Sequence, residues 1–583
     1  MNNALTNHER DRRVLELYEK VLEIEQQLIP TGLHVFGRAS TQNETADLLR
    51  MVASFDRPEL GMRSLPDLVA EGLGLPGYET LLNESTNSED RLRQRELVET
   101  IVRGAIARFV NHSIEAGGEA AIELLSEQAS VAKEQSQKVF ALLGRIREQL
   151  QTNNELEGLM RALRGEYVQP GPGADIVQNP NILPTGRNTH AVNPYSVPSA
   201  AAVQRAEPIA RALLDRDFSQ TGRYPETIAM VLWGIDNIKT EGSAVAQVLW
   251  LLGVKPRRDA MNRATDIQVI PLEELGRPRI DVVMTVSGIF RDLFGATMSL
   301  LDKAVRKVAA LDEPSDMNFI KRNVEEQIRE TGCHFDEAAV RLFSNAAGNY
   351  GTNVNFMVLD SQWEDSRELG DLFVTRKCFA YGRDSEGNGF DGREARKLLE
   401  RALSRVEVTY QNIDTTEVGI TDVDHYFEYL GGVSKAVEKL GSGRPRIYLS
   451  DSLSPGSKIR TLEETVKLET RTKTLNPKWF EGMLAHGFSG VAEIEHHVTN
   501  TFGWSATADA VDDWVYDEVA ATYVLDEKML DRLRSLNPHS AHTLVDRLLE
   551  ASGRGFWKAE QPVLERLRDI SASLEDKLEG VTP

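Results

Sequence analysis

The sequence predicts an α/β multidomain protein: an N-terminal helical region, then α/β domains built on parallel sheet, then a mainly helical C-terminal tail. Three observations carry this. Apolar residues recur at helical spacing through residues 1–165. From residue 223 short uninterrupted apolar runs alternate with polar turns and helical patterns, and from residue 462 the helical period returns.

In "RELVETIVRGAIARFV" the positions Leu97, Val98, Ile101, Val102, Ala105, Ile106, Phe109 and Val110 mark one helix face, and "VLELYEKVLEIEQQL" behaves likewise up to Pro30. Residues 166–222 are rich in Pro, Gly and Asn. Their stretch "GPGADIVQNPNILPTGRNTHAVNP" (171–194) offers little to a core, and loops of such length in compact proteins are usually functional or disordered. It is expected to form a structured rim over the site. "TIAMVLWG" (227–234) and "IDVVMTVSG" (280–288) read as strands buried on both faces, and "VEVTYQNID" (406–414) and "RIYLSDS" (446–452) as further strands. The expected division is 1–165 helical region, 166–222 loop region, 223–400 α/β domain and 401–583 second α/β domain with a helical C-terminus.

Composition narrows the function. A formal charge of −22 over 583 residues opposes nucleic acid as a partner. The two cysteines, Cys333 and Cys378, lie in no zinc spacing and fit a reducing compartment. The N-terminus lacks the apolar core of a signal peptide. The longest apolar run, "AVAQVLWLLGV" (244–254), is too short to span a bilayer, so a cytoplasmic location without stable membrane insertion is expected.

Ligands of open α/β sheets bind beyond the carboxyl ends of the strands. The first such crest presents Asp236, Asn237, Lys239, Thr240 and Glu241, and the second Ser287, Arg291 and Asp292. Helix capping would use the same residue types. "SNAAGNYGTNVN" (344–355) lets backbone approach a ligand closely, with Asn349 beside the flat ring of Tyr350, but it matches neither GxGxxG nor the Walker pattern. This chain is therefore not expected to hydrolyse ATP itself.

"TDVDHYFEYLGG" (421–432) is richest in chemistry, with Asp422, Asp424, His425 and Glu428 inside eight residues. On a helix Asp424 and Glu428 share a face at i, i+4, and carboxylates beside a near-neutral base suit a hard dication and proton uptake. A helix start with dipole-favoured acids and a buried histidine would read the same way. "EIEHH" (493–497) sets Glu493 and His497 at i, i+4, as a metal pair would, but it reads as a solvated helix face, since adjacent His496 and His497 cannot face one ion and HExxH is absent. Trp233, inside an apolar run, is expected in the core.

The segments "ALRGEYVQPGPGADIVQNPNILPTGRNTHAVNPYSVPSAAA", "RYPETIAMVLWGIDNIKTEGSAVAQVLWLLGVKP", "EELGRPRIDVVMTVSGIFRDLF", "RLFSNAAGNYGTNVN", "TRTKTLNPKWFEGMLAHGFSG" and "TNTFGWSATADAVDDWVYDE" resemble the large porphyrin-binding subunit of magnesium chelatase. They resemble less closely the large subunit of the aerobic cobaltochelatase. Family members are longer, with a large region before "IPTGLHVFG", so the chain is expected to correspond to the C-terminal part. The resemblance implies binding of protoporphyrin IX and insertion of Mg²⁺, driven by ATP hydrolysis in two AAA+-type partner subunits. The alternatives are Co²⁺ insertion into a corrinoid precursor, and a non-catalytic tetrapyrrole carrier or sensor. Within the first reading His425, Asp422, Asp424 and Glu428 carry the chemistry, and Asp236, Glu241 and Asp424 receive the metal. Arg187, Asn188, His190, Lys239, Arg291, Asn349 and Tyr350 meet the macrocycle or its carboxylates.

Overall fold

The computed structural model describes residues 32–57, 60–84, 88–173, 176–177, 179–190, 193–382, 392–413, 415, 418–441, 443–451 and 458–580, with residues 13, 14, 17, 21 and 24. It divides into two compact units, one built mainly on His34–Ala191 and the other on Val192–Ser452 and Ser457–Pro583.

The first unit is helical, as its periodicity predicts. Helices α1 (Glu89–Asn111), α2 (Ile114–Ala129) and α3 (Lys133–Gln151) bury Val98, Phe109, Leu125, Phe140 and Leu143 in a core of their own. α4 (Glu155–Leu163) buries none of its residues. Within the Pro/Gly/Asn-rich region, β1 (Pro170–Pro172) and β2 (Asn188–His190) pair in parallel. The end of that region is not loop. Residues 200–221 form α5 (Ala200–Thr221), capped by Ser199 and ended by Gly222 at φ +73°. Pro208 inside the helix disguises it in the sequence.

The second unit is organised by an eight-stranded sheet of order β12-β11-β10-β3-β6-β7-β8-β9. Its members are β3 (Thr227–Leu232), β6 (Asp281–Val286), β7 (Leu342–Ser344), β8 (Phe379–Tyr381), β9 (Arg393–Glu394), β10 (Val408–Ile413), β11 (Arg446–Asp451) and β12 (Ile459–Thr461). β4 (Val254–Arg258) and β5 (Ala264–Val269) form a separate hairpin. The neighbours from β11 through β7 pair in parallel, and β12, β8 and β9 add antiparallel edges. One sheet therefore crosses the boundary expected at residue 400. The strands on either side share backbone hydrogen bonds between β3 and β10, so 223–400 and 401–583 are not two α/β domains.

Alternate residues of the central strands serve different cores, which explains why β3 and β6 read as near-continuous apolar runs. Ile228, Met230 and Leu232 face one cluster with α6 (Ser243–Leu252), whereas Ala229 and Val231 face the other with α7 (Gly432–Leu440). The chain leaves β3 towards β6 over the first face and leaves β10 towards β11 over the second. β3 and β10 are neighbours, so the connections part at this pair, and their carboxyl ends open the crevice in which such sheets bind ligands. Among the described residues no helix is long and apolar enough to cross a membrane.

Candidate active site

The crevice is lined by the segments that leave the carboxyl ends of β3, β6, β7 and β10. Gly234 N–H donates to Ser287 Oγ at 3.0 Å, tying the ends of β3 and β6. A side chain at Gly234 would stand 2.8 Å from the backbone nitrogen of Phe290, so this approach requires glycine. After β7, Asn345 is buried and its carbonyl accepts from Arg291 Nη1 at 3.2 Å and from Tyr381 Oη at 2.8 Å. Arg291 Nη1 also donates to the carbonyls of Ala346 (2.8 Å) and Asn349 (3.0 Å), while Nε donates to Asp292 at 2.7 Å. The guanidinium expected at a substrate carboxylate is thus buried and committed to shaping the 345–353 loop. Asn349 contributes its carbonyl to that loop. Tyr350 is 52% exposed and donates to Asp292 at 2.8 Å.

That loop holds the centre of the site. Glu428, in a π-helical turn (Phe427–Gly431), is 1% exposed. Its Oε1 accepts from the backbone N–H groups of Thr352 and Asn353 (the latter at 2.9 Å) and from Thr352 Oγ1 at 3.0 Å. Its Oε2 accepts from His425 Nδ1 at 2.7 Å. With Nδ1 carrying the shared proton, the neutral imidazole keeps its lone pair on Nε2, and the side chain is 59% exposed. The hydrogen bond to Glu428 raises the His425 pKa above its ordinary 6.5, against its partial burial. Burial pushes the Glu428 carboxyl up, but the bonds from His425 and Thr352 outweigh it and hold the group below its usual range.

Asp424 completes the cluster. Its Oδ1 lies 3.6 Å from His425 Nδ1, and its Oδ2 accepts from Asn355 Nδ2 at 2.6 Å. Asn355 Oδ1 is buried and has no hydrogen-bond partner among the described residues, so an oxygen acceptor stands unsatisfied beside a carboxylate. The Trp233 ring, half-buried and packed against the core, lies 6.3 Å from the His425 ring and 4.3 Å from that of Tyr429. Beneath them Lys377 is fully buried. Its Nζ donates to Val286 O and Asn345 Oδ1, both at 2.9 Å, and sits 4.1 Å from the Tyr429 ring. Burial holds the Lys377 ammonium well below its ordinary pKa.

Asp422, two residues before Asp424, belongs to a different network. Its Oδ1 faces His497 Nε2 at 2.8 Å, and its Oδ2 takes Lys473 Nζ and the Gly419 N–H. His497 is wholly buried, which corrects the reading of "EIEHH" as a solvated face; His496 beside it is exposed. The three carboxylates expected to receive a metal do not converge. Asp236 is buried beside the Thr240 hydroxyl, at 3.4 Å, and Glu241 is exposed at φ +55°. Among the described residues, the group of three acid or histidine side chains whose ligand atoms lie within 4.8 Å of one another is Asp422, Glu493 and His497. Lys239 is half-buried in the same β3 crest.

Arg187 and Asn188 belong to the first unit. There they line a cavity of about 760 Å³ with Phe36, Leu159 and Tyr167, and Arg187 Nη2 donates to Leu183 O at 2.7 Å. The backbone of His190 lies in β2, and its side chain falls outside the described residues.

The sequence pointed to the His425 segment and to the 344–355 loop. It did not expose the partners that join them, Thr352, Asn353 and Asn355, nor Lys377 and Lys473, and it set His497 on a solvated face. The fold thus sets an oriented imidazole, a buried carboxylate and a further acid at the carboxyl ends of an α/β sheet, the end at which such sheets bind ligands. The chain belongs to the CobN/magnesium chelatase family, whose model matches residues 1–564. It is 44% identical over 605 residues to the chloroplastic magnesium-chelatase subunit ChlH of Oryza sativa subsp. japonica, covering 99% of this chain and 43% of that protein. It is 46% identical over 433 residues to the corresponding magnesium-chelatase subunit of Cereibacter sphaeroides, covering 74% of this chain and 36% of that protein. The catalytic subunit of cobaltochelatase from Mycobacterium tuberculosis superposes with a TM-score of 0.87 at 31% identity, over 98% of this chain and 47% of that one. The chain spans less than half the length of these relatives.

Proposed function

We propose that this chain is the metal-inserting part of a magnesium-chelatase large subunit. It binds protoporphyrin IX and receives Mg²⁺, while two AAA+-type partner subunits hydrolyse ATP. The observation that carries the reading is the His425–Glu428 pair at the switch point, with Asp424 alongside. Insertion of a dication into the macrocycle releases two pyrrole protons, and the Nε2 lone pair of His425 is placed to take a proton while Glu428 steadies the imidazolium. Mg²⁺ demands oxygen ligands and sheds water reluctantly. Asp424, with the unsatisfied Asn355 Oδ1 beside it, offers oxygen donors in exchange. That reluctance is also why energy from ATP would be needed.

The half-buried Trp233 and exposed Tyr350 supply flat faces for a tetrapyrrole, and Lys239 a cation near the β3 crest. Arg187 and Asn188 line a cavity of the first unit that Glu155 and Glu166 also line, so we do not assign the propionates to them. Asp236 and Glu241 are not placed to hold the metal together with Asp424, so we assign cation receipt to Asp424. The magnesium branch is favoured over cobalt by the higher identity to magnesium-chelatase subunits. The test is Mg²⁺ insertion into protoporphyrin by this chain with its AAA+ partners and MgATP, beside Co²⁺ with a corrinoid precursor. Porphyrin binding without metallation under either condition would sink the reading and leave a carrier.

A further inference from the structure

The network around Asp422 takes no part in the chemistry assigned to His425 and Asp424, and its geometry has features of a metal site. Glu469 is buried, and its carboxylate accepts from the Ile420 N–H (2.8 Å), the Thr421 N–H (2.9 Å) and the Thr421 hydroxyl (2.6 Å). Because the Thr421 hydroxyl proton goes to Glu469, its oxygen is left to accept from His497 Nδ1 at 3.2 Å. The other ring nitrogen, Nε2, is then the one turned to the carboxylates. It lies 2.8 Å from Asp422 Oδ1 and 3.9 Å from Glu493 Oε1. A ring N–H anchored on a hydroxyl that is itself backed by a carboxylate is how metal-binding histidines are held in orientation.

Charge gives a second and independent indication. Asp422, Glu469 and Glu493 bring three carboxylates to the network, and among the described residues Lys473 is the ammonium paired with Asp422. Three carboxylates thus share one ammonium and one imidazole, and buried charge is costly unless neutralised. The Asp422 side chain is 13% exposed, that of His497 0%, and that of Glu493 26%, so the cluster opens to solvent on the Glu493 side.

We propose that Asp422, Glu493 and His497 form a binding site for a divalent transition cation such as Co²⁺ or Zn²⁺, distinct from the place where Mg²⁺ meets the tetrapyrrole. One imidazole nitrogen with two carboxylate oxygens suits such ions, whereas Mg²⁺ prefers oxygen alone. Lys473 is paired with Asp422 and competes with an entering ion. The turn at 419–422 that this site grips runs directly into Asp424 and His425.

The test is titration of CoCl₂ into the tag-free, EDTA-treated chain, followed by calorimetry and by the visible absorption of bound Co²⁺. One saturable site is expected, with MgCl₂ binding at least tenfold more weakly. Glu493→Gln, at a part-exposed position that leaves the fold intact, should weaken Co²⁺ roughly tenfold or more, the scale on which metal-site substitutions act. Lys473→Met should tighten it by removing the competitor. His497→Gln should abolish the absorption bands, with circular dichroism reporting whether this buried variant still folds. Absence of a saturable site, equal affinity for Mg²⁺, or Co²⁺ binding indifferent to both Glu493→Gln and Lys473→Met would each overturn the proposal.

Discussion

Residue by residue, the site depends on one pair. Glu428 orients His425 because its other oxygen is already saturated by Thr352 and Asn353. His425→Ala should lower the Mg²⁺ insertion rate by about 10²-fold or more, the contribution of a positioned base. Porphyrin affinity, read by fluorescence quenching, should change little. Acting as a base, the imidazole must be neutral, and its pKa is raised above 6.5, so the wild-type rate should climb along a limb above that pH. The alanine variant should lose the limb, and an unchanged pH–rate profile would remove His425 from the chemistry. The same pair sets a stability window with a definite sign. His425 has a raised folded pKa, so its contribution is complete below 6.5 and is lost as pH rises through the folded value. Glu428 has a lowered one, so its contribution is complete above 4.5 and is lost as pH falls through the folded value. The difference in unfolding free energy between wild type and His425→Ala should therefore be greatest between 4.5 and 6.5 and shrink on both sides, as denaturation at a series of pH values would reveal. Glu428→Ala leaves two backbone N–H groups buried without partners and should cost about 2 kcal/mol or more of stability.

At the scale of elements, strand ends and tight turns place these side chains. The Gly234 turn brings the carboxyl ends of β3 and β6 to within hydrogen-bonding reach, and a methyl group there would press on Phe290 N at 2.8 Å and on the Ile289 side chain. Gly234→Ala should cost about 1–3 kcal/mol through overpacking and lower the insertion rate without touching any charged group. Denaturant midpoints and rates measured on one preparation would check both effects. How far these elements could be read in advance depends on their burial. β3 and β6 were legible because strands covered on both faces carry long apolar runs, and β10 and β11 because Val408, Tyr410, Ile447 and Tyr448 are β-branched and aromatic strand formers. β7, β8, β9 and β12 have two or three residues each, too few to show a period. The burial of His497 stayed hidden for the opposite reason. Its helix, α8 (Phe488–Ala508), is buried almost all round, so neither a polar nor an apolar stripe distinguishes it from the exposed His496. The Asp422 and Asp424 pair misled in a third way. A turn sends residues two apart into different networks, which helical spacing does not anticipate.

At the scale of the whole molecule, the two units carry separate hydrophobic cores. The first holds Phe109, Phe140 and their neighbours from residues 49–183, and the second the two clusters on either side of the sheet. Cooperativity follows shared packing, and cores that share no residue need not melt together. The tryptophans make this measurable. All seven, Trp233, Trp250, Trp363, Trp479, Trp504, Trp514 and Trp557, lie in the second unit, so tryptophan emission reports on that unit alone. Far-ultraviolet circular dichroism sums the helices of both. In a urea titration the two signals should follow different curves, with part of the helical signal lost at urea concentrations where tryptophan emission is unchanged, or the reverse. A saturating porphyrin ligand should then shift the tryptophan curve to higher urea, because a ligand of the native state stabilises the unit that binds it. Superimposable curves would mean that the units unfold as one, and a ligand shift absent from the tryptophan signal but present in dichroism would move tetrapyrrole binding to the cavity around Arg187 in the first unit.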